Sequence, residues 1–163
     1  MKFCRADGGQ FELEMKPGEH DTLLHLLKLY PLVPESHHRL TRDKQLPHRE
    51  ENQRLLDDAL RGQRAQNQQE IFSLLNDPAR FQKISGGCKI TFTRAELEWL
   101  LQIVNDVRVG SWIAMGSPGY GTERKTRRDA GAMPHLIFME LAGAFEMFFL
   151  GIVNGSLRPG DEE

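Results

Sequence analysis

The sequence predicts an α+β chain that is mostly helical, a small antiparallel sheet carrying a bundle of about four helices. Three observations carry this. Residues 1–15 have the pattern of a β-hairpin. A strand-then-helix pattern at 13–27 returns 77 positions later. Long helical stretches fill most of the remainder, the last of them the apolar "LIFMELAGAFEMFFLGIV" at 136–153. The 163 residues suit a single domain, 1–163, able to bury a core of its own.

In "MKFCRADGGQFELEM" two short runs flank Asp7-Gly8-Gly9, residues that tolerate positive φ. Leu13 and Met15 alternate with Glu12 and Glu14, so one strand face is buried. "GEHDTLLHLLKLYP" then reads as a short helix closed by Pro31 and Pro34. The echo aligns "LEMKPGEHDTLLHLL" with "ITFTRAELEWLLQIV": an alternating strand, a turn, Glu19 or Glu96, then Leu-Leu one turn on. Two such units can place their strands in one sheet. In the second, Thr93 and Glu96 form the T-x-x-E capping box.

Residues 31–50 read as a polar connection, and 51–77 as one long helix with apolar ends and a polar middle. Pro78 and Gly86-Gly87 then break the helical pattern. At 116–134 a loop rich in glycine and charge has a length typical of functional or mobile segments.

The helix at 94–115 places Leu97, Leu100, Ile103, Val104, Val107 and Met115 on one arc. Glu98, Gln102, Asn105 and Asp106 lie opposite, on a face assigned to water. Arg108 falls inside the apolar arc and calls for a carboxylate partner.

In the helix at 134–153, Phe138, Phe145, Phe149 and Ile152 form a ridge. Glu140, Gly143, Ala144, Met147 and Gly151 line the other side. Glu146 lies at the edge of the ridge and is the expected partner of Arg108 in a buried, structural ion pair, whose breaking would cost about 3–5 kcal/mol. The segment is long enough to span a bilayer, but acidic residues there oppose insertion by about 2.5–3.5 kcal/mol each. It is therefore expected to be covered by protein on all sides. A domain of this size has little to cover the second face, which predicts a homodimer through Glu140, Gly143, Ala144, Met147 and Gly151.

"DGGQFELEM", "EWLLQIVNDVR" and the apolar last helix resemble an uncharacterised bacterial family catalogued as domain of unknown function two thousand and seventeen. The clearest match is Trp99-Leu100 followed by Asn105, Asp106 and Arg108. The chain departs from the family in its last helix, where Phe145 and Glu146 stand in place of a Trp/Gln-rich pattern. The resemblance implies no activity and no catalytic residue.

With 21 Lys+Arg against 23 Asp+Glu, overall charge does not argue for nucleic acid. The start has no apolar signal core, and Cys4 and Cys88 are expected to be reduced and buried near strands, in a cytoplasmic protein. "GSPGYGT" has the Gly116–Gly121 spacing of a P-loop, but Thr122 stands where the phosphate-binding lysine belongs. Glu35-x-x-His38 and the pair His48 and Glu51 are isolated, so neither a metal nor another cofactor is expected. No nucleophile–base arrangement is legible, so the catalytic set is empty.

Arg124, Lys125, Arg127 and Arg128 could hold phosphate groups. Further basic residues, His37, His38, Arg39, Arg42, Lys44, His48 and Arg49, lie along 37–49. The sequence thus reads first as a non-enzymatic interaction or regulatory module, self-associating and without a membrane role, whose protein partner it does not name. An anion or nucleic-acid binder acting through 123–129 comes second, and an enzyme third.

Overall fold

Alternation in the strand-forming stretches folds them into one antiparallel sheet. The computed structural model describes residues 1–39, 47–119 and 131–157. Its strands are β1 (Lys2–Arg5), β2 (Phe11–Met15), β3 (Phe81–Ile84) and β4 (Gly87–Phe92), in the order β1-β2-β4-β3. The helices are α1 (Pro17–Leu29), α2 (Arg49–Leu75), α3 (Arg94–Ala114) and α4 (Met133–Val153). The architecture is α+β and mostly helical, as the sequence predicts.

The first hairpin turns through Gly8 and Gly9, at φ 72° and 76°, a region L side chains rarely adopt. Residues aligned by the echo, Leu13 and Ile90, face each other across the central pair β2–β4. One row then crosses the whole sheet: Phe3, Leu13, Ile90 and Phe81. Each repeat is larger than the sequence suggests, a hairpin followed by a helix, and the two are related by a pseudo-twofold through the Leu13–Ile90 pair. The corresponding core positions Met15 and Phe92, Leu23 and Leu100, Leu26 and Ile103, and Leu27 and Val104 are all buried.

The helix starts repeat as well. Glu19 Oε2 accepts from the Lys16 N–H at 2.8 Å, and Glu96 Oε2 from the Thr93 N–H at 2.7 Å. The other oxygen of each glutamate takes a cation: the Met1 amino group at 2.6 Å and Arg80 Nη2 at 2.5 Å. Thr93 Oγ1 completes its box by accepting from the Glu96 N–H at 3.2 Å. Lys16 has no side-chain acceptor, so the first box is one-sided.

Beneath the sheet, α1 and α3 pack on the inner face, and α4 runs along α3 and touches α1. Leu97, Leu100, Ile103, Val104 and Val107 are fully buried, as are Phe148 and Phe149. The outer face is polar, with Glu12 Oε1 3.1 Å from Lys89 Nζ. Outside this body lies α2, whose 27 residues bury only Asn67 and Ile71.

Two expectations need correction. Strand β3 was not foreseen between Pro78 and Gly86, because only Phe81 of its four residues is even partly buried. Cys4 is exposed, since it points to the outer face of β1; Cys88, on the inner face of the central strand β4, is buried, and both are free thiols.

Candidate interaction surfaces

The ridge of α4 faces inward: Phe145, Phe149 and Ile152 are buried and Phe138 partly so. Its outer side is exposed and mostly apolar, with Glu140 among the exposed residues. Ile137 is 47% and Met147 69% exposed, with Ala144 between them and Leu141 and Leu150 at the flanks. The helix is long and apolar enough to cross a membrane, and only 28% of its most apolar stretch is buried. Cover on all sides, as expected from the sequence, is therefore absent within the described chain. Of the residues assigned to the second face, Glu140, Ala144 and Met147 are exposed. Gly143 and Gly151 are half-buried, the first under the Arg108 stem and the second under Leu157.

Arg108 and Glu146 stand together across α3 and α4, with Nε 2.6 Å from Oε2. The Nε–H is not aligned on the carboxylate, so the contact is one of charge rather than a directed hydrogen bond. Arg108 also donates from Nη2 to Asn105 Oδ1 at 2.9 Å. The description "buried" needs correction: the side chains are 42% and 20% exposed. The arginine stem crosses α4 at Gly143, with Cδ 3.7 Å from where a Cβ would stand, an ordinary contact distance; the guanidinium is partly exposed, while Nε itself is buried. With the Arg108 side chain 42% exposed, water screens the pair from that side and its contribution is small. Arg108→Leu or Glu146→Leu is accordingly expected to cost under about 1 kcal/mol in denaturant unfolding. A double-mutant coupling above about 2 kcal/mol would show the pair to be shielded after all.

The other residues of the Trp-Leu…Asn-Asp-x-Arg stretch hold a crossing segment. Asp106, assigned to water from the sequence, accepts the backbone N–H groups of Leu32 at 2.6 Å and Val33 at 3.2 Å through Oδ1. One turn on, Gly110 lies so close that a Cβ there would be 2.6 Å from the Leu32 carbonyl carbon. The buried Asn67 of α2 donates to Tyr30 Oη at 2.8 Å and accepts from Trp99 Nε1 at 3.2 Å and Gln63 at 3.0 Å. Arg64 donates to the Val33 carbonyl at 2.7 Å. The segment 30–33 is thus clamped between α2 and α3. Burial pushes the Tyr30 hydroxyl above its usual pKa, and Asp106 adds to this against the Asn67 hydrogen bond.

At the start of α3, burial pushes the Glu96 carboxyl upward, but the Thr93 N–H, Arg80 and the Thr93 hydroxyl together hold it below the ordinary carboxylate range. A carboxyl lowered by folding contributes stability that is complete above its unfolded pKa and is lost as pH falls through the folded one. Glu96→Gln is expected to weaken the fold at neutral pH and flatten the acid-side fall in melting temperature. An acid limb parallel to that of the unaltered protein would remove Glu96 from the account.

Chemistry elsewhere is muted. His20 and Asp21 form a pair at 3.0 Å in a surface hollow that Cys88 also lines. Burial, then Asp21, raises the Cys88 pKa, which opposes a thiolate nucleophile. Glu35 lies 3.7 Å from Arg61, His38 Nε2 3.2 Å from Arg64, and His48 3.6 Å from Glu51. Among the described residues no group of three His, Cys, Asp or Glu side chains is placed to hold a metal. Arg124, Lys125, Arg127 and Arg128 lie outside the described residues.

Comparison with protein families, with curated proteins and with solved structures finds no match.

Proposed function

We propose that the protein is a non-enzymatic, cytoplasmic interaction module that self-associates, and that it belongs with the bacterial family its Trp99–Arg108 stretch resembles. What supports self-association is the outer side of α4. From Ile137 to Leu150 the helix carries exposed apolar residues over about 20 Å. Apolar surface of this extent, interrupted by Glu140, is characteristic of interaction sites. A second copy of α4, laid antiparallel about the small Ala144, would bring each Ile137 towards the partner copy's far end and cover both faces at once, as an isologous contact requires.

Sedimentation velocity at about 50 µM tests this, because a self-association equilibrium depends on protomer concentration. A dimer is expected for the unaltered chain and a monomer for Ile137→Glu/Met147→Glu, with both proteins folded by circular dichroism. A monomeric unaltered chain overturns the proposal.

A further inference from the structure

A cleft of about 380 Å³ opens between the last two turns of α2, the turn after it and the start of α3. That volume is within the range of small-ligand sites. The cleft lies away from the outer face of α4, so its chemistry is independent of self-association.

The walls divide by chemistry. Leu74, Phe92 and Trp99 supply apolar and aromatic surface, while Glu70, Asp77 and Glu96 bring carboxylates. The one cation of the lining, Arg80, is already committed: it pairs with Glu96 at 2.5 Å and lies over the Phe92 ring, 5.9 Å from the centroid. Glu70 accepts from the neutral Gln66 side chain, and Asp77 from the Ala79 backbone N–H. Neither has a cationic partner among the described residues, so the described lining of the cleft sums to two negative charges.

Carboxylates beside an aromatic surface suit a cation on a hydrocarbon stem. The indole face attracts the charge, the stem lies along apolar side chains, and a carboxylate takes the donors. Arg80, between Glu96 and Phe92, displays this arrangement within the protein itself. An anion would be repelled, and a purely apolar ligand would strip water from Glu70 and Asp77 without replacing it.

We propose that this cleft binds an alkylguanidinium or alkylammonium group, with Glu70 and Asp77 as counter-charges and Trp99 as the surface on which it lies. Such a group could come from a free aminoalkylguanidine or from an arginine or lysine side chain of a peptide. Trp112→Phe leaves Trp99 as the sole tryptophan of the two, so its fluorescence can be followed during titration. The probes are agmatine, N-acetyl-arginine amide and, as an anionic control, glutarate.

A saturable response to agmatine is expected, absent with glutarate and weakened at least about tenfold by Glu70→Gln/Asp77→Asn. A response to agmatine alone would assign the site to free aminoalkylguanidines, and one to both cations to side chains as well. Calorimetry on the unaltered protein repeats each titration independently of the tryptophan substitution. The proposal is overturned if neither cation binds up to about 10 mM, if the two substitutions leave binding unchanged in a folded protein, or if glutarate gives the same response.

Discussion

Asp106→Leu is expected to destabilise the protein by about 2–4 kcal/mol, one of the two largest effects predicted from the structure. The carboxylate serves two backbone donors, Leu32 and Val33, in a segment with no strand or helix of its own. Charge-assisted hydrogen bonds of this kind exceed neutral ones. Each donor left without an acceptor in a part-buried place costs about 1–3 kcal/mol. Leucine removes the acceptor while keeping the bulk, so the loss reports hydrogen bonding rather than a cavity. Asp106→Asn retains one oxygen and is expected to recover about half of the loss. Urea unfolding measures both; a leucine effect under about 0.5 kcal/mol, the scale of a surface change, would mean that water satisfies these amides.

Gly110→Ala is the second. In a helix interior this change ordinarily stabilises by about 0.5–1 kcal/mol, because alanine loses less backbone entropy. Here the opposite sign is expected, a loss of about 1–3 kcal/mol from overpacking. The new methyl would stand 2.6 Å from the Leu32 carbonyl carbon and 2.8 Å from the Val33 nitrogen, both backbone atoms with no rotamer to give. The crossing segment must move outward, away from Asp106 as well. The two sites are therefore coupled: in Asp106→Leu/Gly110→Ala the combined loss is expected to fall about 1 kcal/mol short of the sum. A stabilising or neutral Gly110→Ala in the same unfolding measurements would show that the segment yields freely.

Much of the fold was legible because hydrophobic period reports which face an element buries. The arc from Leu97 to Val107 and the ridge around Phe145 and Phe149 came directly from spacing. The strands β2 and β4 were legible for the same reason, and the capping box at Thr93 because its chemistry is local. Period says nothing about what lies on a polar face. Asp106 was assigned to water because its neighbours are polar, yet irregular backbone covers it. The edge strand β3 buries too little to leave a pattern. The ion pair drew its two residues from matching helix edges, but how far water reaches each side chain depends on how α3 and α4 pack, a matter of distance rather than sequence. The acidic cleft gathers side chains from four elements and has no linear signature.

The pseudo-twofold through Leu13 and Ile90 has a consequence for dividing the chain. Cut anywhere in the link that includes α2, the chain would part into a hairpin with one helix and a hairpin with two, α3 and α4. The inner strand of each, β2 in one and β4 in the other, would become an open edge with a row of unpaired amides and carbonyls beside an uncovered apolar face. Such edges seek another strand. Each fragment is the best cover for the other, and through the near-symmetry of the repeat it is also a passable cover for itself. Split halves of this protein are thus complementing partners rather than independent domains, with self-pairing of a half as the competing outcome.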